Sequence, residues 1–141
     1  MSETIYFAYG SNLDPGQMAQ RCPEAQAQGT ALLEGWRFLI NERGFATIVK
    51  DPAAKVHGHI WILTPGDEAA LDKYESVDED NYRKEVLKVQ QDGGSVSSMV
   101  YIDHRQNPGK PRPNYLPGIL HGAAHFKLPP DYQKELASWA S

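Results

Sequence analysis

Cysteine is nearly missing from this chain: Cys22 stands alone among 141 residues, so neither an intrachain disulfide nor a thiolate zinc cluster can form. A basic surplus is missing too. The 14 Lys and Arg face 18 Asp and Glu, a net charge of −4, which argues against a dedicated nucleic-acid binder. No apolar run approaches the ~20 residues that a membrane span needs. The start, Met1-Ser2-Glu3-Thr4, is acidic and leads straight into Ile5-Tyr6-Phe7-Ala8, unlike the basic and then long apolar profile of a secretory leader. Internal repeats, low-complexity tracts and linkers are also lacking. The expectation is a soluble, cytoplasmic protein with no nucleic-acid or membrane partner. Residues 1–141 form one domain, long enough to bury roughly two-thirds of the unfolded surface.

Strand signals fill the first two-thirds. A short apolar and aromatic run at 5–8 stops at Tyr9-Gly10-Ser11-Asn12. Asp14-Pro15 then has the form of a helix start, with the acid as N-cap, and Pro23 stops that helix by Cys22. Further β runs are predicted at 30–33, 36–41, 46–50 and 56–64, separated by Gly and polar breaks. Thr64, Pro65, Asp67 and Glu68 open a helix that runs to Tyr74 or Glu75. Strands at 82–91 and 96–103 flank Asp92-Gly93-Gly94 as a hairpin. The stretch 104–117 carries Pro108, Pro111, Pro113 and Pro117, and reads as an ordered surface loop. Leu116, Ile119, Leu120 and Ala123 form one helical stripe, weakened by Gly118 and Gly122; Leu128, Tyr132, Leu136 and Trp139 form another. The order predicts an α+β fold with a mixed, largely antiparallel sheet curled around a core.

Three places carry candidate chemistry. In Tyr6-Phe7-Ala8-Tyr9-Gly10-Ser11-Asn12-Leu13, a buried strand ends in small polar residues, and Gly10 admits close approach of a ligand. Consecutive amides in such a turn can converge on an anion, although a plain β–α connection has the same pattern. Glu75 lies four residues after Leu71, on the same side of the helix. If Leu71 faces the core, Glu75 sits at its edge, where burial and the negative helix end raise a carboxyl pKa toward the range useful for proton transfer. The alternative is an exposed glutamate beside Lys73. Tyr82, Tyr101 and Tyr115 offer apolar bodies with a hydrogen-bonding tip, suited to a pocket or simply to a core.

Other arrangements fall short of a known device. The pairs His57/His59 and His121/His125 share faces, but Gly122 stands where a metalloprotease helix needs glutamate, and no metal site is expected. Ser11 lacks the flanking glycine of a nucleophile elbow, because Tyr9 occupies that place. Cys22 reads as a small packing residue.

Taken together, the segment 6–13, the glutamate segment 71–77, and Pro111–Tyr115 followed by Leu128-Pro129-Pro130-Asp131-Tyr132-Gln133 resemble the γ-glutamylcyclotransferase (AIG2-like) family over nearly the whole chain. Tyr-Gly-Ser-Asn-Leu is similar to the branch acting on γ-glutamyl amino acids. The resemblance implies a small β-barrel with flanking helices. It also implies ring closure of γ-glutamyl amino acids or amines to 5-oxoproline, without a cofactor. By position it implies Glu75 as acid/base. Tyr6, Phe7, Ala8, Tyr9, Gly10, Ser11, Asn12 and Leu13 would hold the glutamyl group, and Tyr82, Tyr101 and Tyr115 would line the pocket. Ser76 departs from the family, which usually has glycine after its glutamate. Two other readings share these residues: a non-catalytic small-molecule-binding domain, and a sibling cyclotransferase for a different γ-glutamyl metabolite. A homodimer is expected by analogy alone.

Overall fold

In the computed structural model, which describes residues 3–75 and 81–140, the polypeptide closes five strands into a barrel. The strands are β1 (Thr4–Ala8), β2 (Gln26–Ile40), β3 (Ala46–Leu63), β4 (Arg83–Gln91) and β5 (Gly94–Ile102), in the order β1-β3-β2-β4-β5. All pairings are antiparallel except the closing one, where β1 lies parallel to β5 with Tyr6 opposite Met99. The family fold expected from the sequence, a mixed and largely antiparallel barrel, is the fold observed.

Helices cover the barrel on two sides. They are α1 (Pro15–Arg21), α2 (Pro65–Tyr74), α3 (Leu116–His125) and α4 (Pro130–Ala137), with single 3₁₀ turns at Ser11–Leu13 and Ser138–Ala140. Asp14 caps α1 by accepting from the Gly16 N–H. Thr64 and Asp67 form a reciprocal capping box at α2, which fixes where that helix begins and therefore where it ends. The β4–β5 turn has Asp92 at φ 51° and Gly93 at φ 82°, the left-handed pair that a two-residue hairpin with the right twist requires.

Period two sorts β1 onto two cores. Phe7 points into the barrel with Ile60, Val100 and Ile102, whereas Tyr6 and Ala8 point outward under α1 and α2, with Met18, Cys22 and Leu71. A third core joins Phe38 and Ile40 of β2 to Ile119 of α3, Leu128 of the loop after it and Leu136 of α4. Burial on both faces explains why β1 is apolar without alternation. Cys22 is buried as a packing residue, its thiol pushed up to about 11 by desolvation.

Two sequence expectations are corrected. The runs at 30–33 and 36–41 are one strand, β2, and those at 46–50 and 56–64 are one strand, β3. Gly29 (φ 101°) and Gly35 (φ 87°) do not break β2; each sits at a register shift, where a bulge bends the strand. Opposite Gly35 the pairing jumps from Lys55 to Lys50, so Pro52 falls where no ladder hydrogen bond is asked of it. The expectation concerning Ser76 falls outside the described residues. No helix among the described residues is long and apolar enough to cross a membrane.

Candidate active site

The chain leaves β1 at Ala8 and turns sharply through Tyr9 and Gly10 into the 3₁₀ turn. That turn is seated on α3. Gly122 lies against the backbone of Leu13, so closely that a Cβ there would overlap its carbonyl group. This contact, invisible in sequence, is why a helix accepts glycine at that position. The N–H of Leu13 donates to the Gly10 carbonyl (2.9 Å) and that of Asp14 to Ser11 (3.1 Å). The N–H groups of Gly10, Ser11 and Asn12 find no backbone acceptor among the described residues.

Facing the turn is the C-terminal end of α2. Leu71 is wholly buried, which sets the side of the helix that faces inward, and Glu75 follows one turn later as the C-cap. The residue as a whole is half-buried, with its carboxyl turned inward to the cavity. Desolvation raises its pKa to about 7; Arg21 and Arg43 pull it down, and Asp103 pushes it up. Between the turn and Glu75 lies a narrow cavity of ≈ 30 Å³, lined by Tyr6, Phe7, Tyr9, Gly10, Ser11, Asn12, Ala46, Glu75, Tyr82, Tyr101 and Tyr115. An outer compartment of ≈ 240 Å³ shares Ser11, Glu75, Tyr82 and Tyr115 with it, and adds Arg43, Phe45 and Tyr74.

The residues singled out in sequence thus converge, with two exceptions. Ala8 and Leu13 are fully buried in the cores on either side and do not line the cavity. Arg43, Phe45, Tyr74 and the Ala46 backbone were not anticipated. The first two stand in a polar turn between strands, and Tyr74 at a helix end, where no pattern sets them apart from surface residues.

Hydrogen bonding divides the tyrosines. A phenol has one proton to give. Tyr9 gives its proton to the Tyr101 carbonyl (2.7 Å), Tyr82 to the Ala46 carbonyl (2.7 Å), and Tyr101 to an Asp72 carboxylate oxygen (2.7 Å). Tyr6 and Tyr115 instead accept, from Asn12 Nδ2 (2.8 Å) and the Ala46 N–H (3.0 Å). Their own protons remain available to the cavity, and burial holds both phenols well above their usual pKa. Behind the turn, Arg21 donates to Asn12 Oδ1 (2.5 Å), Ser11 Oγ (3.2 Å) and the Tyr74 hydroxyl (2.6 Å), locking loop and helix together.

The histidines lie elsewhere. His59 stacks on Phe126 at 3.8 Å, with both ring nitrogens buried and without a partner among the described residues. The rings of His121 and His125 are 6.4 Å apart. Among the described residues no group of three or more His, Cys, Asp or Glu is arranged to hold a metal ion. Desolvation, with His125 nearby, lowers the His59 pKa from 6.5 to about 4. The unfolded chain therefore binds a proton that the native state refuses, and stability drops as pH falls from 6.5 toward 4, by up to ~3 kcal/mol. His59→Leu, similar in volume and without a titrating group, is expected to flatten this part of the pH profile in urea titrations. An unchanged slope would show the ring to be hydrated.

Chemically, the arrangement places a proton carrier poised near neutrality opposite a set of unspent N–H and O–H donors. A carboxyl of this kind is able to move a proton, and donors of this kind are able to stabilise negative charge on an oxygen.

The profile of the AIG2-like family matches residues 55–136. The γ-glutamylcyclotransferase of Bos taurus is 31% identical over 145 aligned residues, covering 95% of this chain and 77% of that protein. That of Homo sapiens is 29% identical, covering 94% and 76%. A solved γ-glutamyl cyclotransferase structure superposes with a TM-score of 0.90 at 28% identity, over 97% of this chain and 88% of that one.

Proposed function

The chain belongs to the AIG2-like family of γ-glutamylcyclotransferases, and we propose that it converts γ-glutamyl amino acids or amines to 5-oxoproline and the free amino acid or amine, with Glu75 as general acid/base. The observation that carries this reading is the placement of Glu75: an inward-turned carboxyl, pKa about 7, across a small cavity from the 9–12 turn.

The reaction is intramolecular. The α-amine attacks the γ-carbonyl of the same glutamyl residue, a five-membered lactam closes, and the C–N bond to the leaving amine breaks. Both reactants share a molecule, so the cavity's main task is to hold the chain bent; well-oriented reactions of this kind reach effective molarities of roughly 10⁵–10⁸ M. The α-ammonium must first lose a proton. In all, the α-nitrogen gives up two protons as it passes from ammonium to lactam N–H, and the leaving nitrogen gains two and departs as an ammonium; Glu75 relays them one at a time, accepting as carboxylate and donating as acid, and ends as it began. A positioned group of this type supplies about 10²–10⁴-fold.

Two negative charges need partners in the inner cavity. The substrate's α-carboxylate fits the N–H groups of Gly10, Ser11 and Asn12, which lack backbone acceptors among the described residues. For the developing oxyanion, proton availability selects the hydroxyls of Tyr6 and Tyr115 over Tyr9, Tyr82 and Tyr101.

Incubation with γ-glutamyl-alanine, followed by chromatographic detection of 5-oxoproline and alanine, is the direct test; binding without product would support the non-catalytic alternative. Tyr115→Phe is expected to raise KM and lower kcat together. It leaves the Ala46 N–H without its acceptor, for a stability loss of about 1–2 kcal/mol. Unaltered steady-state kinetics in that variant would remove the hydroxyl from the pocket.

A further inference from the structure

The outer compartment contains a cation, Arg43, to which the ring closure as described gives no contact with the substrate. Arg43 stands in the tight turn between β2 and β3, and its backbone is fixed from two directions. Asn41 Oδ1 accepts from the N–H groups of Arg43 (3.0 Å) and Phe45 (3.4 Å). From the proline-rich loop, Arg112 donates through Nε to the Arg43 carbonyl (2.8 Å) and through its N–H to that of Gly44 (3.1 Å). The guanidinium is aimed by Asp103, whose side chain is fully buried and accepts from Arg43 Nη1 at 2.7 Å. Asp103 also accepts from the Arg105 N–H and guanidinium, both at 3.0 Å.

Two guanidiniums on one carboxylate leave a net positive charge at this wall of the compartment. Burial pushes the Asp103 carboxyl up, but the hydrogen bonds from Arg105 and Arg43 outweigh it, and the group stays below its usual pKa, ionised. Of the five N–H donors of a guanidinium, only Nη1 of Arg43 has an acceptor among the described residues. The Arg43 side chain is 25% exposed, and it lines the outer compartment but not the inner one.

We infer that Arg43 reads the carboxylate of the leaving amino acid, so that the outer compartment selects γ-glutamyl α-amino acids over uncharged γ-glutamyl amines and amides. The inference rests on the cyclotransferase reading and adds to it a residue that determines specificity. Geometry decides which of the substrate's two carboxylates is concerned. The glutamyl carboxylate belongs with the ring-closing atoms in the inner cavity, beside the 9–12 turn. The leaving group lies beyond the scissile bond, past Glu75, where Arg43 is. Charge agrees: a γ-glutamyl amino acid brings two carboxylates and one ammonium toward an ionised Glu75, and its outer carboxylate needs a cation. A planar guanidinium with unspent parallel donors fits a carboxylate bidentately.

The test compares γ-glutamyl-alanine with γ-glutamyl-alaninamide, equal in size and different in that one charge. The parent protein is expected to favour the acid in kcat/KM by about 10- to 100-fold, the scale of a charge-assisted hydrogen-bonded pair. Arg43→Gln is expected to bring the ratio to within about 3-fold of unity, mostly through KM for the acid, with Arg43→Lys between the two. Because the quantity is a ratio within one protein, loss of folded enzyme cancels. A parent without preference, or an Arg43→Gln variant that keeps it, overturns the inference; in the latter case Arg43 serves the fold or the glutamyl end. Titration calorimetry of Glu75→Gln with the same two compounds reads the discrimination without turnover. If it holds there while the parent protein forms no 5-oxoproline, Arg43 stands and the cyclotransferase reading falls.

Discussion

Glu75→Gln is expected to lose turnover by about 10²–10⁴-fold while still binding substrate, and to be more stable than the parent above neutral pH. The two effects have one cause. A group whose folded pKa is raised contributes stability that is complete below its unfolded value and is lost as pH rises through its folded value. For Glu75 that window runs from about 4.5 to about 7. Above it the native state carries a desolvated charge that disfavours folding by up to ~3 kcal/mol, and glutamine carries none. Denaturation midpoints of parent and variant should therefore coincide near pH 4 and separate toward pH 8, with the variant higher. The parent's kcat/KM should rise with pH through about 7 as the carboxylate forms. Product release by Glu75→Gln at parental rates would exclude Glu75 as the proton carrier. Parallel stability profiles would mean that its carboxyl is solvated.

Gly122→Ala is the second large effect expected, and it acts at a distance from any reacting atom. The added methyl meets the carbonyl carbon and oxygen of Leu13, backbone that is fixed on one side by β1 and on the other by α1. Alanine favours a helix over glycine by about 1 kcal/mol, yet overpacking against backbone, at the upper end of about 1–3 kcal/mol, outweighs this, for a net loss of about 2 kcal/mol. The shift passes directly into Ser11 and Asn12, so kcat/KM should fall by at least about tenfold in the fraction that remains folded. Gly118→Ala provides the contrast. Its obstacle is the end of the Gln17 side chain, which is hydrogen-bonded to Asp14 (3.1 Å) and Arg21 (2.5 Å) but is not backbone and can shift, so that variant should lose less thermal stability than Gly122→Ala. Equal behaviour of the two variants in melting and turnover would refute this account of the loop's support.

How much was legible follows from what each signal depends on. The Thr64 cap, the Asp14 cap and the Asp92-Gly93 turn are local, and the structure reproduces them. So is the four-residue spacing that puts Glu75 with Leu71. Continuity of β2 and β3 was not legible, because glycine or proline inside a strand is tolerated only at a bulge, and a bulge is a relation between two strands. Gly118 and Gly122 weakened the prediction of α3 for the same reason: propensity is local, whereas their neighbours Gln17 and Leu13 lie roughly a hundred residues away in sequence. Of the site, the turn and the carboxylate could be named from type and position. Arg43 could not, since its significance comes from Asp103, a partner on the far side of the barrel's connectivity. The division of the tyrosines into donors and acceptors likewise required the peptide of Ala46 to be in place.

The one parallel seam in the barrel joins its first strand to its last, Tyr6 beside Met99. Tyr9, where the turn begins, and Tyr101 of β5, whose carbonyl it meets, are 92 residues apart in the sequence. Contacts of such separation form late and slowly. Shortened chains that stop before β5 would therefore carry the glutamate and the turn but no enclosed space between them. The enclosed space is thus a product of long-range closure, present once the two ends of the sheet meet.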